Sequence, residues 1–388
     1  MALNTVSSDR LSTNVKNTNF TAAEKQDLTD DIKPLLGSSG GGSKNLIVNG
    51  AQLVAQRGTS STSDSYQTID RFAKLESGTD ESVTQSQVDV AAGTTPYTNG
   101  FRKSFRLTNG NQTSGAGAGD NALIRYKVEA QDIANSGWNY VSSSSNITLS
   151  FWIKSSVAQN FYFNFIAPDG TSYNYPMETG SLTADTWTKI TKTIPGNSNL
   201  TFNNDNGVGL QIDWWAFAGT NYTASGVTLN QWAAYSSGNR FPDNTSTWWT
   251  TNDATFELTG VQLEIGSVAT EFDHRSFAVE KKLCERYFKV FSSFSGIAAA
   301  AGVFQGPLQF DMRATPSASL SPSGKARITD SAFADFDISS GASLNEYNAT
   351  PTAMRLHVSG FSGLSTQKPM TWLATGTNQS DVHLAAEL

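Results

Sequence analysis

The sequence predicts a mainly β protein: a jelly-roll β-sandwich with a short N-terminal helical arm, a connecting helix and a small C-terminal β-domain. Three observations predict it. Short apolar runs bounded by turn residues recur through residues 44–275. Within those runs apolar and polar side chains alternate with period two, which places one face of a strand on a core. Helical spacing of apolar residues is confined to two stretches, one near residue 30 and one at 276–292.

The β runs of the central domain are Leu46–Val48, Phe101–Leu107, Ala122–Val128, Ile147–Ile153, Phe161–Ile166, Thr186–Ile194, Gly207–Ala218 and Thr255–Ile265. In the fourth, Ile147, Leu149, Phe151 and Ile153 share a face, with Thr148, Ser150 and Trp152 on the other. In the seventh, Val208, Leu210, Ile212, Trp214 and Ala216 oppose Gln211, Asp213, Trp215 and Phe217. Turns are marked by Pro168-Asp169-Gly170, Pro195-Gly196-Asn197 and Asp205-Asn206-Gly207, where proline presets φ and glycine or asparagine accepts a left-handed backbone. Eight such strands in one stretch predict a jelly roll with long loops at 44–275.

Residues 1–43 read as an arm and linker. Thr21 and Glu24 are spaced as a capping box. Leu28, Ile32, Leu35 and Leu36 follow as an apolar stripe that Pro34 must end or kink. So short a helix is unstable alone in water and is expected to pack on copies of itself or on a docking protein, the alternative being a small helix on the next domain. Gly37–Ser43 is a flexible linker. The second helix, 276–292, carries Leu283, Cys284, Tyr287, Phe288 and Phe291 on one face and Lys281, Lys282, Glu285 and Arg286 on the other. Residues 293–388 return to short β segments, among them Gly302–Met312, Ser317–Leu320 and Met354–Val358.

Composition narrows the function. The net charge of −7 argues against a general nucleic-acid binder, which needs clustered cations to displace counterions. One cysteine, Cys284, excludes an internal disulfide. No run of 18 apolar residues is present, so no membrane-spanning helix is expected. The start of the chain has no basic segment followed by an apolar core, so the protein is expected to be made in the cytoplasm and to act after assembly, without a leader of its own.

Several strings resemble bacteriophage tail-fibre and receptor-binding proteins, cyanophage-like ones in particular. Val6–Asn14 through Ala23–Leu28 resembles their N-terminal arms. Asn45–Ala51 resembles the opening strand, and Phe256–Gly266 the closing strand, of carbohydrate-binding-module-like jelly rolls in that class. Ala269–Ser276 followed by Leu283–Phe288 is the most specific string, and Met312–Ser317 fits the β-domain that follows it. The resemblance implies a non-enzymatic virion structural protein: a homotrimeric tail fibre whose arm binds other virion proteins and whose body attaches to the host surface, through glycan. The alternative it leaves is a purely structural fibre or adaptor on tail, neck or capsid. For a trimer, Leu28, Ile32, Leu35, Leu283, Tyr287 and Phe291 are the expected interface and docking residues. The resemblance also allows a structural calcium near the first and last strands, with Asn49, Asp253 and Glu257 as oxygen ligands and no other cofactor.

Residue chemistry agrees with attachment rather than catalysis. The chain has three histidines, His274, His357 and His383, with no zinc-type spacing. His274 is expected to be a hydrogen-bonded structural residue and His357 strand surface. There is no Gly-x-Ser-x-Gly elbow. Gly115–Gly119 lacks the Lys-Ser/Thr of a phosphate loop and reads as an ordinary loop. Asp169, Asp185, Asp213 and Glu257 are carboxylates whose separation spacing alone does not set, which keeps a glycan-degrading enzyme as a third reading. The binding signal is aromatic. Trp138, Tyr140, Trp215, Trp232 and Trp249 are the candidate rings to stack on sugar; in each adjacent Trp pair one ring is expected in the core, and core packing or a trimer contact is the competing role for each tryptophan.

Overall fold

The computed structural model describes residues 44–374 and 379–388. Leu28, Ile32, Leu35 and the capping box lie outside the described residues. In chain order the strands of the first half are β1 (Ser60–Ser61), β2 (Phe72–Ser77), β3 (Thr84–Asp89), β4 (Lys103–Thr108), β5 (Asn121–Glu129), β6 (Asn146–Ser155), β7 (Asn160–Ala167), β8 (Tyr173–Ser181), β9 (Thr188–Pro195), β10 (Val208–Ala218), β11 (Ala233–Ala234) and β12 (Thr255–Ile265). They form two six-stranded antiparallel sheets, ordered β1-β3-β4-β12-β6-β9 and β11-β8-β7-β10-β5-β2. From β4 to β12 the chain keeps switching between them, so that β4-β12-β6-β9 faces β5-β10-β7-β8 with the order of a jelly roll.

Alternation sets which side chains meet between the sheets. Ile147, Leu149, Phe151 and Ile153 of β6 and Leu210, Ile212 and Trp214 of β10 are all fully buried. The Phe151 ring meets Phe163 at 5.1 Å and Trp214 at 5.8 Å between centroids, both edge-on. Each such side chain contributes about 1.5–3 kcal/mol by leaving water. In β12 the register against β6 shifts between Thr259 and Gln262, where Gly260 has φ +61°. This bulge changes the parity of the strand, so Phe256 and Leu258 before it and Val261 and Leu263 after it all face the core. Leu46–Val48, expected as a strand, is instead tied to β12 by the Leu46 N–H donating to the Leu263 carbonyl (2.9 Å) before a turn.

The second half contains β13 (Phe288–Phe291), β14 (Ser293–Ala300), β15 (Val303–Gln309), β16 (Ser317–Ser321), β17 (Ala326–Asp330), β18 (Asp335–Ile338), β19 (Ser343–Tyr347), β20 (Ala353–Ser359), β21 (Pro369–Leu373) and β22 (Asp381–Ala385). These make a three-stranded sheet, β13-β22-β16, and a seven-stranded one, β18-β17-β21-β14-β15-β20-β19. Phe304, Ile328, Leu356, Trp372 and Val382 form part of their shared core. Asn45–Leu388 is one compact unit.

Three short α-helices occur among the described residues, α1 (Thr95–Thr98), α2 (Ala130–Ala134) and α3 (Phe277–Cys284), with one 3-10 turn at Thr220–Tyr222. None is long and apolar enough to cross a membrane. The helix expected over 276–292 is real but stops at Cys284. Ser276 caps it by accepting from the Val279 N–H at 3.4 Å. Beyond it, Phe288–Phe291 is drawn into a strand by pairing with β22, a long-range ladder that overrides helical spacing.

The segment around α3 is a joint. Arg275 donates to the carbonyls of Asn45 and Ile47. Glu280, 4% exposed, accepts from the Asn49 N–H. Arg286 grips buried Glu129 of β5 with two bonds of 2.9 Å. Arg71, fully buried, lies 3.4 Å above the Tyr287 ring centroid and pairs with Glu387 at 2.7 Å. Arg57 covers Phe288 at 3.5 Å. The stripe expected at a threefold interface is therefore used inside the chain: Tyr287 is 3% exposed, Phe291 packs on the second core, and Leu283 is half-buried. The exposed large apolar residues of α3 are Phe277 and Val279.

Candidate functional site

The rings expected to stack on sugar are mostly core. Trp138, Trp215, Trp232 and Trp249 are between 0 and 7% exposed, and each indole N–H is satisfied internally: by the carbonyls of Ser145, Pro195 and Gly115 for Trp138, Trp232 and Trp249, and by the Asn164 side chain for Trp215. Tyr140 is half-buried against Phe202, at 4.8 Å between centroids. The expectation for Trp215 failed because alternation put it outside the core between the sheets, as anticipated, but the loop after β10 returns to cover it: Tyr222 and Phe241 pack on its ring at 5.1 and 5.6 Å.

The set expected to hold calcium is likewise dispersed into other roles. The Asn49 side chain bonds Val54 and the Asp70 carbonyl. Asp253 is exposed, in a left-handed turn at φ +57°. Glu257 is spent on Arg106 and Lys154, at 2.9 and 3.0 Å. Among the described residues no group of three His, Cys, Asp or Glu side chains is placed to hold a metal. His274 is a hydrogen-bonded structural residue, its Nε2 lying 2.9 Å from the Asn99 carbonyl between Phe101 and Phe272. His357 stands on β20 and contacts Gln305 at 3.0 Å.

The outer face of the sheet containing β5, β10, β7 and β8 carries an ordered polar strip. At its centre Arg125 holds Asp213 through two bonds of 2.7 and 2.8 Å, and Gln211 donates to the same carboxylate at 2.9 Å. Asp213 and Arg125 are opposite one another in the ladder, which is why two ordinary strand positions produce this bidentate pair. Asn164, opposite Asp213 on the other side, accepts from the Trp215 indole (3.1 Å) and donates to Asn174 (2.8 Å). Asn174 donates to the Arg240 carbonyl at 3.1 Å, and the Arg240 guanidinium donates to the Tyr235 hydroxyl at 2.7 Å while lying over Trp215. Burial opposes the charge of Arg125, but the bond to Asp213 outweighs it and holds the guanidinium firmly protonated.

Two tyrosines flank the strip. Tyr66 follows Ser65, which bridges to Lys74 of β2 at one edge of the sheet. Tyr235 follows β11 at the other edge, its N–H donating to the Ser172 carbonyl at 2.8 Å. Both are half-buried, and burial pushes the Tyr66 hydroxyl up to about 12, so that hydroxyl stays a neutral donor and acceptor. Asp213, Asn164 and Asn174 are themselves buried, and Asp213 holds in place the partly exposed Arg125 and Gln211 side chains, which with the flanking phenol rings can meet a polyhydroxylated ligand without reordering. Gln211 and Asp213 were visible in the sequence as the polar face of β10. Arg125, Tyr66, Tyr235 and Arg240 were not, because strand register and loop return bring them together.

The other carboxylates do not join this strip. Glu257 lies on the outer face of the opposite sheet, so it and Asp213 are on two sides of the sandwich and cannot flank one glycosidic bond. Asp169 holds Asn203 at 2.8 and 3.0 Å. Gly115–Gly119 is a loop, fixed by Trp249 on the Gly115 carbonyl. It borders a recess of about 270 Å³ with Phe217, Thr220 and Asn244.

No family model and no curated protein matches the chain. Among solved structures it is similar to the enzymatically active domain of bacteriophage CBA120 tailspike protein 4, at 9% identity and TM-score 0.30, over 57% of this chain and 22% of that one. A CBM4 structure is similar at 14% identity and TM-score 0.30, over 58% of this chain and 100% of the other. The N-terminal cellulose-binding domain of Cellulomonas fimi β-1,4-glucanase C is similar at 10% identity and TM-score 0.26, over 56% and 99%.

Proposed function

We propose that the protein is a non-enzymatic attachment protein of a bacteriophage virion that binds host-surface glycan along the strip between Tyr66 and Tyr235. The observation that carries the sugar-binding half is the pre-set Arg125–Asp213–Gln211 floor, whose polar groups are held in place before any ligand arrives. The virion half is supported by the resemblance of the arm, the closing strand and the joint segment to phage fibres. Asp213 is committed to Arg125 and Gln211 and stands apart from Glu257, which fits retention of a glycan rather than its cleavage.

A glycan array and a host-cell binding assay with the full chain test this reading. Gln211→Ala removes one hydrogen-bonding side chain and is expected to weaken binding about 3–10-fold, the worth of a single bond. Binding unchanged in Gln211→Ala and Tyr235→Ala would place the sugar elsewhere, and absence of any array or cell binding would favour a purely structural adaptor. Homotrimeric assembly is part of the proposal. Light scattering is expected to give three times the 41.7 kDa chain mass, and a monomer at micromolar concentration would remove the trimer from it.

A further inference from the structure

The sandwich face opposite the strip carries a cluster that the strip does not use. Trp152 of β6 points away from the core between the sheets, since Phe151 and Ile153 on either side of it are fully buried; like Trp187 it packs against the small cluster of Ala51, Val90 and Phe101 and stays partly exposed. Lys189 of β9 is its exposed ladder partner. Two residues before Lys189, the half-exposed indole of Trp187 lies 5.2 Å beneath the Lys154 ammonium. Glu257, on the strand between β4 and β6, is 1% exposed and is shared by Arg106 (2.9 and 3.1 Å), Lys154 (3.0 Å) and Ser104 (3.1 Å). Two cations thus lean on one buried carboxylate, and a third, Lys189, stands beside them. The three cations outnumber the two buried carboxylates, Glu257 and Glu264, on the outer face of β12, so the face keeps positive charge in a chain whose net charge is −7.

We infer that this face is a second carbohydrate site, selective for an acidic polysaccharide: Trp152 and Trp187 stack on pyranose rings while Arg106, Lys154 and Lys189 take the carboxylate or sulfate groups. An indole offers a flat apolar surface to the C–H face of a sugar, and a guanidinium or ammonium held by a buried acid is already in position for an anion. Glu257 serves as a positioning residue. It fixes Arg106 and Lys154 upright without touching ligand. A neutral glucan would gain the stacking but leave the cations without partners. The site is independent of the strip on the opposite sheet.

The test is calorimetric titration of the full chain with tetragalacturonate, its fully methyl-esterified form, and a sulfated carrageenan tetrasaccharide, followed in parallel by tryptophan fluorescence. The acidic probes are expected to bind and to perturb the indole emission, the ester to bind at least tenfold more weakly, and the carboxylate and sulfate arms to separate the two anion sources. Lys189→Gln is expected to weaken the acidic probes about fivefold, roughly one surface charge contact, and to leave the ester unaffected. Raising the salt from low to about 0.5 M is expected to weaken them further. Equal affinity for acid and ester, no binding of either acidic probe, or tighter binding of a thymidine oligonucleotide would overturn the assignment. Loss of acidic binding in Gln211→Ala but not in Lys189→Gln would also overturn it, while leaving sugar binding at the strip intact.

Discussion

The joint between the sandwich and the second β half predicts a specific cost. Arg286 lies just beyond α3 and makes two bonds of 2.9 Å to Glu129, whose side chain is fully buried at the end of β5. Burial alone would raise the Glu129 carboxyl, but the Arg286 bonds outweigh it and hold the group below its ordinary 4.5. Replacing Arg286 with leucine leaves a buried carboxylate whose remaining side-chain donors are Gln131 at 2.6 Å and the Tyr287 hydroxyl. Breaking a buried pair from one side costs about 3–5 kcal/mol, and the lower end applies because the Arg286 side chain is 37% exposed. For one cooperative unit spanning residues 45–388 that is a melting-point drop of about 4 °C. A depressed carboxyl pKa stabilises the fold above the unfolded value and loses that contribution as pH falls through the folded one. The gap between wild type and Arg286→Leu should therefore narrow below about pH 4, and Glu129→Gln combined with Arg286→Leu should recover more than half of it at pH 7. Urea denaturation at pH 7 and pH 3.5 measures both. A loss under about 1 kcal/mol, or one independent of pH, would refute the claim that this pair ties the two halves together.

Three further outcomes follow from the same structure. Burial pushes the Asp70 carboxyl up to about 6 from 3.8, so the folded state keeps a proton that the unfolded chain releases; stability should fall as pH rises from about 4 to 6, and Asp70→Asn should remove that slope from a thermal melt, a difference of about 3 kcal/mol at most. Gly50→Ala would place a Cβ 2.1 Å from the Val261 carbonyl oxygen, beside the bond from the Val261 N–H to Gly50, and should cost about 1–3 kcal/mol by urea midpoint; a neutral substitution would contradict the close approach of this turn to β12. Cys284 is fully buried, with its thiol pushed well up by burial, so a thiol reagent should leave it untouched in the native protein and label it once in denaturant; rapid native labelling would contradict the packing of α3.

The strand pattern was legible where alternation ran clean. Ile147–Ile153 stands where period two placed it, Thr255–Ile265 is a strand although its bulge breaks the alternation, and the turn strings fall between the observed strands or, at Pro195, on the last residue of one. What was missed shares one cause, chain segments distant in sequence. The helix expected to reach residue 292 ends at Cys284 because β22, nearly 100 residues later, recruits Phe288–Phe291. Alternation places Trp215 on the outer face of β10, and nothing local shows that Phe241 will cover it. Leu283–Phe288 stands out as a string, but its physical role appears only when Arg286 meets Glu129 and Tyr287 meets Arg71. Candidate site residues were hardest to read for the same reason: Arg125 faces Asp213 only through ladder register, and Tyr66 and Tyr235 flank them from opposite sheet edges.

A structure of the chain with the oligosaccharide that scores highest on the array tests the central claim most directly. Sugar density lying over Arg125, Asp213 and Gln211 between Tyr66 and Tyr235 is the predicted result. Density confined to the recess beside Gly117 and Asn244, with the strip left bare, would contradict it.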